Sequence, residues 1–128
     1  MTSFTGLMPY LFLFLQVIWV GEFLKLQLTL QLNKFADGSS GIIDVVSSNL
    51  EKPQSIAVSP NKYFLFWTDI GDQPKIVRSG LDGSNKQVIL MESIIWPTGI
   101  AIDRVKERLY WLDVRLHSIT SCDFDGSR

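Results

Sequence analysis

Two stretches of this chain repeat one another in register, and that repetition constrains the fold more than composition does. Pro53 returns as Pro97, Ile56-Ala57-Val58 as Ile100-Ala101-Ile102, and Phe66-Trp67-Thr68-Asp69 as Tyr110-Trp111-Leu112-Asp113, each 44 positions later. Ile76 and Leu81-Asp82-Gly83-Ser84 return as Ile119 and Phe124-Asp125-Gly126-Ser127, 43 positions later, so the second copy has one residue fewer after its tryptophan. A third, partial copy is marked by Asp37-Gly38-Ser39, 45 positions ahead of Asp82-Gly83-Ser84 and followed by the β-branched Ile42, Ile43, Val45 and Val46. A period of this size is the signature of stacked supersecondary units, each burying its apolar faces only against its neighbours.

Within a copy the apolar runs are short, partly β-branched and bounded by turn residues, which leaves no room for helices. Residues 56–58, 63–68, 75–80 and 87–91 read as four strands. They are separated by Ser59-Pro60-Asn61, Gly71-Asp72-Gln73-Pro74 and Asp82-Gly83, the last a strong hairpin signal because glycine takes a positive φ without steric cost. The expectation is an all-β chain of antiparallel four-stranded meanders, and one tryptophan motif per unit suggests propeller blades. The boundaries expected are a partial blade over 37–49, a blade over 50–93 and an incomplete blade over 94–128.

Residues 1–36 carry none of this pattern. The stretch 7–20 is apolar but for Gln16, about the length of a signal-peptide core and short of the ~20 residues that span a bilayer. No Lys or Arg precedes Lys25, which speaks against a signal peptide and leaves three readings: a signal or signal-anchor, a segment foreign or mis-joined to the repeats, or an ordinary core strand. Leu24, Leu26, Leu28, Leu30 and Leu32 then alternate with polar residues, the period of a half-buried strand. The 12 Lys+Arg against 13 Asp+Glu give a formal charge of -1, so no global field favours nucleic acid or a membrane surface. A single cysteine, Cys122, excludes an internal disulfide and a cysteine metal site, and no cofactor is expected.

The motif Phe66-Trp67-Thr68-Asp69-x-Gly71-x-x-Pro74-Lys75-Ile76-x-Arg78-x-x-Leu81-Asp82-Gly83 resembles the YWTD, or class B, repeat of the low-density lipoprotein receptor family. So does Trp96-Pro97-Thr98-Gly99-Ile100-Ala101-Ile102-Asp103, continuing through Arg108-Leu109-Tyr110-Trp111-Leu112-Asp113. The resemblance covers residues 37–128 and implies about two blades of a six-bladed propeller. It also implies a non-enzymatic, extracellular ligand-binding module of a single-pass cell-surface receptor, at the plasma membrane or in endosomes. Its partners would be a protein or lipoprotein ligand, taken up by endocytosis or sensed as a secreted signal of the Wnt type, together with neighbouring blades and cysteine-rich modules. The alternative is a structural propeller that orders neighbouring modules or assists ligand release in acid. Phe66, Leu112, Thr98 and Ile70 depart from the usual motif, the last two at positions read as loops that could touch ligand.

The repeated residues are read first as structure. Trp67 and Trp111 fill the gap between adjacent sheets. Asp69 and Asp113 resemble a catalytic pair only superficially, since a side-chain bond to nearby backbone after the second strand accounts for both. Phe66, Thr68, Tyr110 and Leu112, with the Asp82-Gly83 and Asp125-Gly126 turns, complete the structural set. His117 reads as a surface strand residue and Cys122 as a buried, inert thiol. No phosphate loop, Gly-x-Ser-x-Gly elbow or His-Glu-x-x-His motif occurs.

Strand reversal in a meander then separates the turns onto two faces. Turns 70–73 and 114–116 and the loops 49–52 and 93–98 open on one face, and the Asp-Gly turns on the other. The resemblance makes the first the ligand face, with candidates Glu51, Lys52, Ile70, Asp72, Trp96 and Arg115. Trp96 is either a binding anchor, as Trp is at many hot spots, or a packing residue ahead of Pro97.

Overall fold

A computed structural model describes the backbone of residues 11–20, 23–32 and 41–128, and side chains from residue 45 onward. The chain divides into two compact units, Met1–Ser48 and Asn49–Arg128. In the first, strands β1 (Leu11–Val20), β2 (Phe23–Leu32) and β3 (Gly41–Val46) form an antiparallel sheet in the order β1-β2-β3. The alternating-leucine segment is β2, and the apolar stretch before it is paired with it from Leu11↔Leu32 to Val20↔Phe23. Residues 7–10 and the Asp37-Gly38-Ser39 copy lie outside the described residues.

The second unit holds the two full copies of the motif. The first copy folds as a four-stranded antiparallel meander of β4 (Pro53–Ser59), β5 (Phe64–Asp69), β6 (Lys75–Gly80) and β7 (Gln87–Leu90), in that order. The second gives β8 (Pro97–Asp103), β9 (Arg108–Asp113) and β10 (Ser118–Asp123), ordered β10-β9-β8. All described secondary structure is β but for one 3-10 turn, Pro60–Lys62. The copies agree in register as well as in sequence: Ile56 pairs with Trp67 as Ile100 pairs with Trp111. Each first strand is irregular at its second residue, where Gln54 and Thr98 stand between Pro53 and Ser55 and between Pro97 and Gly99. The sequence reading placed Thr98 in a loop. It belongs to β8, as the extra residue of this bulge, because Pro97 already pairs with Asp113.

The turns repeat with the same fidelity. Tyr63 and Glu107, at equivalent positions, both take a left-handed backbone, with φ of 57° and 54°. In the Asp-Gly turns Gly83 has φ 82° and Gly126 φ 91°. Asp82 Oδ1 accepts hydrogen bonds from the Ser84 N–H at 3.0 Å and hydroxyl at 2.6 Å, and Asp125 Oδ1 does so from Ser127 at 2.9 and 2.6 Å. These bonds, hydroxyl first, hold both carboxyls below the ordinary aspartate value.

The core lies where the two sheets meet. Phe66, Ile76 and Leu90 of the first sheet, with Ile94 of the connecting loop, enclose Leu109, Trp111, Cys122 and Phe124 of the second copy. Phe66 and Phe124 rings lie 5.0 Å apart. Trp111 therefore does what its size suggests and fills the gap between adjacent sheets. Trp67, one residue after Phe66, points by strand alternation to the opposite face of its sheet and is also buried. Cys122 is fully buried, and burial raises its thiol above the usual value. Polar bridges join the sheets at their edges: Arg78 donates to the Phe124 carbonyl at 2.9 Å and stacks 4.4 Å from the Phe64 ring, and Lys62 pairs with Glu107 at 3.0 Å.

Candidate ligand-binding face

Two buried aspartates build the face that carries the candidate residues. Asp69 ends β5 and Asp113 ends β9, and neither exposes any surface. Asp69 accepts hydrogen bonds from the backbone N–H groups of Glu51 (3.0 Å), Lys52 (2.8 Å) and Gly71 (3.0 Å). Asp113 accepts four, from Ile95 (2.7 Å), Trp96 (3.1 Å), Arg115 (3.1 Å) and Leu116 (3.1 Å). Each carboxylate thus ties the loop entering its blade to the turn that follows its own strand. A main-chain bond closes each corner, Ile70 N–H to the Lys52 carbonyl at 3.0 Å and Val114 N–H to the Trp96 carbonyl at 3.2 Å.

The sequence reading anticipated bonds to the following turn. It did not anticipate the donors 17 and 18 residues upstream, which nothing local in the sequence signals. A carboxylate so buried survives ionised only if donors replace its water. Burial pushes the Asp113 carboxyl up, and the N–H groups of Ile95, Leu116, Trp96 and Arg115 together outweigh it and hold the group below the ordinary aspartate value.

The side chains on the two corners differ. At the first, Glu51 lies across the turn, accepting from the Asp72 N–H at 2.6 Å and pairing with Lys75 at 3.1 Å. Gly71 makes this approach possible, since a Cβ there would run into the Glu51 side chain. Lys52 and Asp72 are exposed and Ile70 is half-buried, so four of the six candidates, Glu51, Lys52, Ile70 and Asp72, meet at this corner. The remaining two, Trp96 and Arg115, meet at the second, where the Arg115 guanidinium stands 5.4 Å from the centre of the Trp96 ring. Trp96 is 39% exposed, and around it Ile95 (52%), Val114 (41%) and Leu116 (43%) also face solvent.

These three aliphatic residues lie in the loop 93–98 and the turn 114–116 that the sequence assigns to this face, but they are not among its candidates, because nothing local separates an exposed loop aliphatic from one folded into the core. The signal that could have found them is their place on either side of Asp113, in the loops its motif fixes. His117 also differs from the reading: it occupies the turn before β10, with φ 50°, rather than a strand. The one-residue shorter turn of the second copy needs that left-handed residue to re-enter the sheet. Among the described residues no group of three or more His, Cys, Asp or Glu is placed to hold a metal.

Residues 63–104 match the family model for the low-density lipoprotein receptor repeat class B. The vitellogenin receptor Yl of Drosophila melanogaster is 42% identical over 62% of this chain, and the human low-density lipoprotein receptor-related protein 5 is 40% identical over 77%. The chain spans only 4% and 6% of the length of these relatives. Among solved structures, a chain of a nidogen/laminin complex superposes with a TM-score of 0.69 at 24% identity, over 80% of this chain and 38% of that one, which agrees with the blade architecture.

Proposed function

The chain carries class B repeats of the low-density lipoprotein receptor family, and from that premise we propose that it forms part of a non-enzymatic extracellular propeller that binds a secreted protein ligand for a cell-surface receptor. The observation that carries the reading is the second corner. There a tryptophan, three aliphatic side chains and an arginine stand in solvent on loops fixed by a buried carboxylate. Exposed apolar residues clustered on a rigid frame mark interaction sites, and Trp and Arg are the side chains most often found to dominate binding. The frame matters because loops already ordered lose little entropy on binding. Glu51, Lys52 and Asp72 extend the same face as its polar rim, beside the half-buried Ile70.

The name of the vitellogenin receptor Yl supplies a ligand to test, vitellogenin. Cells displaying the full-length polypeptide that carries these repeats are incubated with labelled vitellogenin, and binding is compared with that of the Trp96→Ala form at equal surface display. We expect the variant to lose about 2 kcal/mol of affinity, the size of a hot-spot truncation. Equal binding by both forms removes this corner from the binding surface.

A further inference from the structure

The two corners share one frame and differ in charge balance. At the first, the carboxylate of Glu51 is answered within the corner, by the Lys75 ammonium at 3.1 Å and the Asp72 N–H at 2.6 Å. At the second, Arg115 forms no ion pair among the described residues; its guanidinium meets only the Trp96 ring, at 5.4 Å. Asp113, two residues before Arg115, is buried and turned inward onto four backbone N–H groups, so it presents no charge to the surface. The result is an uncompensated cation lying across an indole, with Ile95, Val114 and Leu116 exposed beside it.

Resting on the proposed ligand face, we infer that this corner recognises a peptide segment in which an apolar side chain is closely followed by a carboxylate. The apolar side chain covers Trp96 and Leu116. The carboxylate engages the fork of Arg115, whose planar donors match a carboxylate in two-point geometry. The cation–π contact with Trp96, at 5.4 Å, favours this placement of the guanidinium, so less side-chain freedom is lost when the pair forms. A segment ending in a basic residue is rejected by like charge, and a purely apolar one leaves the cation to be partly stripped of water without a partner. The first corner, already neutralised, carries no such demand, so the discrimination belongs to the second repeat.

The test uses the full chain held at low density on a biosensor and short end-blocked peptides in a Gly/Ser background. They carry at their centre Leu-Ser-Glu, Leu-Ser-Gln or Leu-Ser-Lys. The expected result is that the glutamate peptide binds about three- to fivefold more tightly than the glutamine peptide, the range of an exposed ion pair, and that the lysine peptide binds most weakly. Arg115→Gln brings the glutamate-to-glutamine ratio to one, and added salt shrinks the wild-type ratio. Trp96→Ala, and independently Leu116→Ser at an exposed position, weaken all three peptides. A wild-type ratio of one, or a ratio that survives Arg115→Gln, overturns the inference; if the apolar variants still weaken binding in that case, the ligand face stands without it. Peptides that bind both apolar variants as they bind the wild type overturn the inference and the ligand face together.

Discussion

Ile76 and Ile119 occupy the same place in the two repeats, on the third strand of each blade, yet Ile76 exposes none of its surface and Ile119 exposes 75%. Thr68 and Leu112, equivalent on the second strand, differ in the same way, fully buried against 42% exposed. The chemistry of the side chains does not explain this, since isoleucine is the same in both. Position in the stack does: the first blade's face is covered by Trp111, Leu109 and Phe124 of the second, while the matching face of the second meets no further blade among the described residues. In a repeat fold the worth of a core residue is set by its neighbour unit, and equal sequence does not mean equal energy.

The comparison breaks most readily at that pair. Ile76→Ala should cost about 2–5 kcal/mol, because it leaves a cavity among Phe66, Trp111 and Leu90, whereas Ile119→Ala should stay within about 0.5 kcal/mol. Chemical denaturation of the two variants checks this. In a longer polypeptide in which another repeat seats on the second blade, the cost of Ile119→Ala should climb towards that of Ile76→Ala. Equal costs in the 128-residue chain would show that its second face is already covered.

A second contrast sets Gly126 against Gly83. Both need a positive φ, so an alanine in either costs about 1–2 kcal/mol from backbone strain. Gly126 also lies against the first blade, where a Cβ would collide with the Ile89 carbonyl. Overpacking adds about 1–3 kcal/mol, so Gly126→Ala should lower the melting temperature clearly more than Gly83→Ala.

Next comes the carboxylate frame. Asp113→Asn replaces an ionised acceptor of four N–H groups by a neutral amide and should cost about 2 kcal/mol. Because the folded chain holds this carboxyl below its ordinary value of 3.8, the unfolded chain binds protons first as pH falls. The stabilisation is complete above the unfolded value and drains away as pH drops through the folded one. A stability profile between neutral pH and pH ~3 should fall more steeply for the wild type than for Asp113→Asn. The smallest effect is expected at the surface pair joining the blades, where Lys62→Ala should cost under about 1 kcal/mol, measured against an Arg78→Ala that also loses the Phe124 carbonyl bond.

Much of the blade was legible because its determinants are local. The Asp-Gly turns, the short aromatic strand around Trp67 and the recurrence at Trp111 each announce themselves within a few residues. What escaped was what depends on residues far apart in sequence. The loop donors to Asp113 lie 17 and 18 residues upstream, the bulge at Thr98 follows from the register of Pro97 against Asp113, and the solvent exposure of Ile95 and Val114 follows from where those donors hold the chain. Trp96 and Arg115 are candidates on one face, and the Asp113 carboxylate, which accepts from the N–H groups of both, is what sets one beside the other.

The aspartates at the ends of β5 and β9 recognise main chain alone. An N–H group is common to nearly every amino acid, so the grip of Asp69 on residues 51 and 52, and of Asp113 on residues 95 and 96, is indifferent to which side chains those positions carry. One pair is Glu-Lys and the other Ile-Trp, on the same frame. A mutation at such a site changes what the surface displays while leaving the scaffold's bonds in place. A repeat built this way can be copied and its copies diverge towards new ligands, with stability and specificity under separate selection.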